Sequence, residues 1–175
     1  MDFYEVIRTR RSVRKFKTDD IPDEVLNRVL DAARIAQSGN NWQPWKYIVI
    51  RDRERMKEML PVCGGRSFIA EAPVLVVACG ERLTVNRGGY MGDLSMLVDV
   101  SISFDHLTLA ARAEGLGTCW IGSFNNDGVK KYLNIPDDMQ VVALTPMGYP
   151  ADADAFSERT NRKALDEIVS YETYQ

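Results

Sequence analysis

The sequence predicts a single domain in which helices cover a β-sheet of about four or five strands, an α+β or α/β fold. The chain has 175 residues, which is the size of one domain, so we assign residues 1–175 to one unit. Segments with helical periodicity alternate with short apolar segments that are bounded by proline or glycine. The chain contains no internal repeat, low-complexity stretch or linker that would divide it.

The clearest helix is expected from Pro22 to Gln37. Pro22 suits a first turn, Asp23 and Glu24 complement the helix dipole, and an apolar stripe follows at helical spacing. The other elements that the patterns predict are the strands Lys46–Arg51, Val74–Cys79, Thr118–Ile121 and Val141–Thr145, and a charged helix at Glu54–Leu60.

A second long helix is expected from Asp93 to Glu114, and it ends at Gly115. Its apolar residues lie nearly all the way round the helix, so it must be buried on every side, in a core or against a second subunit. A chain of this length has little core with which to surround such a helix. We therefore expect the helix to lie at a subunit interface.

Composition excludes several classes of protein. The formal net charge is −3, so we expect no general attraction to nucleic acid or to an acidic membrane. The first ten residues resemble no signal peptide, and no stretch reaches the roughly 18 uncharged apolar residues of a membrane span. Three widely spaced cysteines predict neither a disulfide framework nor a zinc site. The expected location is the cytoplasm.

No side chain is an obvious catalyst. His106 is the only histidine, and because it falls in an apolar stretch of helix we interpret it as structural. The sequence has no nucleophile elbow, no phosphate-binding loop, no dinucleotide fingerprint and no metal-binding cluster. An enzyme without reactive side chains of its own commonly takes its chemistry from a cofactor.

A basic segment offers a place for such a cofactor. Residues 8–17 carry six cationic side chains and no acid. If the chain is extended there, Arg10, Ser12 and Arg14 share one face and Val13 points the other way. Two guanidinium groups with a hydroxyl between them suit a phosphate and the polar chain that leads from it. A solvated charged face explains the composition equally well.

Two further stretches are chemically informative. Residues 37–45 (QSGNNWQPW) present amide and hydroxyl groups that suit the edge of a polar ring, although a helix cap at Gly39 and an asparagine-rich turn explain part of the pattern. Residues 115–122 (GLGTCWIG) combine glycines with a short strand, so that their backbone N–H groups could face a flat ligand. A helix that ends and leads into a strand requires the same glycines.

Four motifs together resemble the nitroreductase family of FMN-dependent flavoproteins, over nearly the whole chain. They are RRSVRKF at 10–16, QSGNNWQPW at 37–45, GLGTCWIG at 115–122, and GYP at 148–150 with NRKALDEIV at 161–169. The resemblance implies an α+β fold, an α/β/α sandwich with a central, mainly antiparallel sheet and a helix that forms the dimer. It also implies FMN sites at the interface of a homodimer.

The resemblance further implies which residues hold FMN. The basic segment would contact the phosphate, the ribityl chain and the pyrimidine edge of FMN. The C-terminal part of the chain would also contact the phosphate. The 37–45 motif would contribute from the partner subunit, and backbone near residue 121 would lie against the reactive N5 side of the ring. The expected set is Arg10, Arg11, Ser12, Arg14, Gln37, Ser38, Asn41, Trp120, Ile121, Gly122, Arg162 and Lys163.

Family members commonly take hydride from NADH or NADPH and pass electrons to nitroaromatics or quinones. Two departures are visible in this chain. Many relatives carry an acid where Ile121 stands, and segment 80–92 is short where longer relatives insert material over the substrate. Besides a reductase, a module that stores or senses FMN without turnover remains open. A nucleic-acid-binding protein is not favoured, because the pI is acidic.

Overall fold

The computed structural model describes residues 1–81, 89–158 and 161–174, and its centre is a four-stranded antiparallel sheet with strand order β1-β2-β4-β3. The strands are β1 (Trp45–Ile50), β2 (Val74–Glu81), β3 (Gly117–Thr118) and β4 (Met139–Gly148). The helices are α1 (Phe3–Thr9), α2 (Asp23–Arg34), α3 (Arg53–Glu58), α4 (Phe68–Glu71), α5 (Gly89–Ala113) and α6 (Asn126–Leu133), with short 3-10 turns at Gly39–Asn41 and Leu165–Glu167. Most of segment 80–92 lies outside the described residues. The expectation that this segment leaves the substrate pocket open therefore also falls on residues that are not described.

Side chains that alternate along β2 divide the molecule into three layers. Leu75, Val77 and Cys79 pack with residues of α3, α4 and α6, whereas Val74 and Val76 pack with α2 and α5. Because successive side chains of a strand point to opposite faces, one apolar strand can serve two cores. The predicted α+β fold, an α/β/α sandwich around an antiparallel sheet, is confirmed.

The stripe predicted for α2 is the face that this helix buries. Leu26, Val29 and Ala33 are buried against the sheet and α5. The helix ends at Arg34, three residues before the predicted Gln37, because the chain turns there and Ala36 enters the core. Arg28 donates to both carboxylate oxygens of Glu114 at 2.8 Å, which joins α2 to the end of α5 on the surface.

The long helix α5 crosses the sheet and is not covered all round by its own chain. Val100, Phe104 and Leu107 are fully buried, whereas Leu97 and Val98 are 42% and 38% exposed. The helix approaches β2 so closely that a Cβ on Gly80 would collide with Met96. Residues 94–113 are long and apolar enough to cross a membrane by length and composition, a test that the core helix of a soluble protein also passes.

Candidate functional site

The basic segment is an extra edge of the sheet. The Val13 N–H donates to the Thr118 carbonyl at 2.8 Å, and Ser12 forms a parallel bridge with Thr118. Further along, the Lys17 N–H donates to the Tyr149 carbonyl at 2.8 Å, and the Ala151 N–H donates to the Lys15 carbonyl at 3.1 Å. Gly117 makes the close approach possible, since a Cβ there would lie 2.6 Å from the Val13 side chain. Three of the four motifs therefore meet at one place.

Side chains of this segment alternate as an extended chain requires. Arg11 and Val13 are buried, whereas Ser12 and Arg14 are exposed and Arg10 is half-buried. The buried Arg11 guanidinium donates to the carbonyls of Arg8 and Arg10, so it braces the backbone that carries the others. Arg10, Ser12 and Arg14 are thus on the outward, more exposed face, as the sequence predicted, whereas Arg11 is buried.

A cavity of about 300 Å³ lies between this segment and residues 152–157. Its charged lining consists of Arg11, Arg14 and Lys15 against Asp152 and Asp154, so cations outnumber acids. Lys15 Nζ lies 3.5 Å from the Asp152 carboxylate. The volume is at the lower limit for a small-molecule site. The basic face therefore suits an anionic group, and the cavity would hold only part of a larger ligand.

The 118–122 stretch presents a turn beside the basic segment. The exposed Trp120 packs edge-on against Phe104, with ring centroids 4.5 Å apart. The Ile121 side chain is buried in the core, and its N–H donates to Leu144 at 2.8 Å. That N–H is therefore already hydrogen-bonded to β4. Gly122 is exposed, and a Cβ there would lie 3.8 Å from Trp120 Nε1, an ordinary van der Waals contact.

The 37–45 motif forms a tight loop with an unusual backbone. Asn40, Asn41 and Gln43 all have positive φ, between 50° and 57°. The Ser38 hydroxyl accepts the Gln43 N–H at 2.9 Å, and the Gln43 side-chain amide donates to the Asn41 carbonyl at 3.0 Å. Gln37 and Asn41 are exposed and Ser38 is half-buried. Amide and hydroxyl groups are thus presented to solvent from a constrained loop.

This loop lies at the opposite corner of the sheet from the basic segment. Trp45, which follows the loop, pairs with Gly80 at the end of β2. Thr118, beside the basic segment, pairs with Met147, which pairs with Val74 at the start of β2. Three strand spacings and six residues of strand separate the two corners, about 14 Å across and about 20 Å along the sheet. One chain alone therefore does not bring its 37–45 motif to its own basic segment.

The C-terminal segment 161–174 is exposed throughout. It carries Arg162 and Lys163 together with large apolar side chains, of which Leu165, Ile168 and Tyr171 are 65–77% exposed. Among the described residues, neither Arg162 nor Lys163 forms a salt bridge with an acid. Also within the described part of the chain, no group of acidic, histidine or cysteine side chains is arranged to hold a metal ion.

Two supporting residues were not anticipated from the sequence. The buried Asp99 carboxylate on α5 accepts the Gly39 N–H at 3.1 Å. The buried Arg112 donates to the Thr9 hydroxyl at 3.0 Å and lies over the Phe156 ring at 3.9 Å, and burial lowers its pKa. In the sequence, the only sign of a role for Asp99 or Arg112 is a charged residue within an apolar stretch, because the partners of both residues are distant in sequence.

Comparison with known proteins gives consistent matches. The model of the Nitroreductase family matches residues 7–80 and 62–149 of this chain. The FMN reductase (NAD(P)H) of Bacillus subtilis strain 168 is 27% identical over 186 residues, which cover 95% of this chain and 74% of that protein.

Solved structures of similar proteins have the same fold. A nitroreductase family protein from Clostridium difficile 630 has 33% sequence identity and a TM-score of 0.82, and the match covers 99% of this chain and 100% of that one. A nitroreductase family protein from Clostridium novyi NT has 35% identity and a TM-score of 0.77, with 95% and 91% covered.

Proposed function

Since this chain belongs to the nitroreductase family, we propose that it is an FMN-dependent oxidoreductase that takes hydride from NADH or NADPH. The observation that carries the proposal is the meeting of three motifs, where the basic segment pairs with Thr118 and, further along, with residues 149–151. The name of the Bacillus subtilis relative, an FMN reductase, supports both the cofactor and the electron donor. We propose small electron-poor molecules, such as nitroaromatics and quinones, as acceptors, and the cytoplasm, which suits three free buried cysteines, as location.

The residues at this site fit FMN. Arg10 and Ser12 on the outward face would hold the phosphate and ribityl chain, and Arg14 would lie near the pyrimidine edge. FMN would supply the redox chemistry, accepting and returning a hydride equivalent. The protein would bind and orient the ring and place a fixed positive charge where negative charge accumulates on reduction. The exposed backbone at Gly122 would face the ring edge, and Arg162 with Lys163 would close on the phosphate.

We propose that the working unit is a homodimer. In one chain, the loop with Gln37, Ser38 and Asn41 lies about 25 Å from the basic segment by strand geometry, so it would serve the flavin of the partner. The exposed apolar residues Leu97 and Val98 on α5, and those of segment 161–174, provide surface that a second copy would cover. A cavity that holds only part of a ligand agrees with a site completed by a second chain.

The test is an anaerobic titration of the purified protein with NADH and with NADPH. A yellow protein that contains FMN, loses its colour with one donor and regains it with a nitroaromatic or a quinone is the expected result. A protein that holds FMN but is reduced by neither donor would instead be a module that stores or senses flavin. A protein that binds no FMN would contradict the proposal altogether.

A further inference from the structure

Asp99 connects the interface helix to the loop of the 37–45 motif. It is the only acid that is buried among the described residues, 3% exposed, on a helix whose neighbouring residues Leu97 and Val98 are exposed. Its Oδ1 accepts the Gly39 N–H at 3.1 Å from a residue 60 positions earlier in the chain. A backbone amide bound to a carboxylate is held more strongly than one bound to a neutral acceptor. The contact fixes the loop against α5 at the residue that follows Ser38.

The loop requires such a fixed point. Asn40, Asn41 and Gln43 all occupy the left-handed region, where residues other than glycine are uncommon. Such conformations persist when surrounding contacts determine them, and they are concentrated at binding sites. The Ser38 hydroxyl already accepts the Gln43 N–H and closes the loop from within. Asp99 is a contact that joins this closed loop to α5.

The position of Asp99 along α5 indicates which flavin it serves. Asp99 lies roughly four turns, about 21 Å, before Ala113, and the chain enters β3 just after Ala113. The basic segment of the same chain lies at that far end, beside Thr118. Near Asp99, by contrast, lies the exposed part of α5 that a second copy would cover. A loop held by Asp99 therefore lies far along α5 from the basic segment of its own subunit.

We propose that Asp99 is a positioning residue that acts in trans: it orients the 37–45 loop of its own chain for the FMN held by the basic segment of the partner. The inference rests on the proposed function and on the proposed dimer. It assigns no chemistry to Asp99 itself. The carboxylate would act on FMN through the loop, so its removal should weaken FMN binding while the fold and the dimer persist.

The first experiment measures FMN affinity, dimer state and thermal unfolding of three variants. Asp99→Ala should raise the dissociation constant of FMN by about tenfold or more, the effect of losing one charge-assisted hydrogen bond, and remain a dimer. Asp99→Asn retains an acceptor oxygen and should restore most of the affinity. Ser103→Ala is the matched control. Its hydroxyl is also buried on α5, donating to the Ala33 carbonyl and contacting the Tyr47 hydroxyl, but it does not contact the loop.

Ser103→Ala should lower the unfolding temperature with little change in FMN affinity. If Asp99→Ala binds FMN as tightly as the original chain, or if Ser103→Ala weakens FMN equally, the positioning role is wrong. A wild-type chain that binds no FMN would contradict the proposed function instead, so the two failures are distinguishable.

The second experiment tests action in trans with a mixed dimer. One chain carries Asp99→Ala, and the other carries Arg10→Ala with Arg14→Ala. If Asp99 serves the partner's flavin, one site of the mixed dimer receives all the changes and the other receives none. Titration should then find one tight FMN per dimer. If Asp99 serves its own flavin, both sites are damaged and no tight site is found, which would overturn the proposal.

Discussion

Arg14 is an exposed guanidinium, and among the described residues it makes no ion pair with an acid. A fixed positive charge near the pyrimidine edge would stabilise the reduced ring more than the oxidised ring and so raise the potential of FMN. Arg14→Ala should therefore lower the midpoint potential, by about 30 mV for every 1.4 kcal/mol of lost differential stabilisation, without unfolding the chain. Spectroelectrochemistry of the loaded variant measures this. If the variant still binds FMN and its midpoint potential is unchanged, Arg14 does not lie near the pyrimidine edge of the ring.

Arg162 is expected to distinguish FMN from riboflavin. The two ligands differ by the phosphate, and a charge-assisted contact to an ionised group contributes roughly 1.5–3 kcal/mol. Arg162→Ala should weaken FMN by about tenfold or more and leave riboflavin nearly unaffected. Fluorescence titration with both ligands supplies its own control. Equal losses for the two would show that Arg162 does not bind the phosphate.

The buried thiols Cys63 and Cys79 should make stability fall in alkali. Burial raises the pKa of each from 9.0 to about 11. Because the folded pKa is raised, the folded state is unaffected below pH 9 and loses stability as the pH rises from about 9 through about 11. The loss should be roughly 2 kcal/mol per thiol by pH 10.5. Urea unfolding at pH 8 and pH 10.5 measures it, and Cys79→Ser should reduce the difference. An equal difference in that variant would assign the loss to other groups.

Helix α5 contains two kinds of apolar residue, and replacement of each by a charged residue should have a different effect. Leu97 is 42% exposed in the single chain, whereas Leu107 is fully buried in its own core. Leu97→Glu should therefore yield a folded monomer that holds FMN weakly, and Leu107→Glu should unfold the chain. Sedimentation and circular dichroism separate the two results. A Leu97→Glu monomer that is folded and binds FMN tightly would contradict the shared site.

The elements found from the sequence are those with a strong periodic pattern. The apolar run of β2 and the stripe of α2 depend only on neighbouring residues, and both were predicted within a few residues. Helix α1 was missed because Val6 is its only buried residue, so no stripe is visible. The strand predicted at Thr118–Ile121 is shorter because the Cys119 N–H donates to the Thr145 hydroxyl instead of a carbonyl, and pairing resumes at Ile121.

Part of the candidate site could likewise be predicted from local sequence pattern, and part could not. The outward face of Arg10, Ser12 and Arg14 follows from the two-residue period of an extended chain, and the burial of Arg11 and Val13 agrees with it. The contact between Asp99 and Gly39 could not be predicted, since it joins residues 60 positions apart and depends on how α5 lies on the sheet.

In the proposed dimer, FMN binding and subunit association should be coupled. If both chains contribute to each FMN site, FMN binds the dimer more tightly than the monomer and stabilises it by about 2.7 kcal/mol at one hundred times its dissociation constant. Saturating FMN should lower the protein concentration at which the dimer dissociates, as measured by sedimentation. Riboflavin at equal concentration should shift it less, because it lacks the phosphate. Dissociation that is the same with and without FMN would mean that each site is complete in one subunit.

The hydrogen bond from Lys17 to Tyr149 also has a consequence for when the proposed cofactor can bind during synthesis. The basic segment leaves the ribosome before the residues that hold it in place, Thr118 and 149–151, which emerge more than 100 residues later. At about 5–20 residues per second, the segment waits for roughly 5–30 seconds without its neighbours. The contacts are among the most distant in sequence, and contacts of that kind form late. Flavin is therefore expected to be captured after the chain has folded, and not to template its folding.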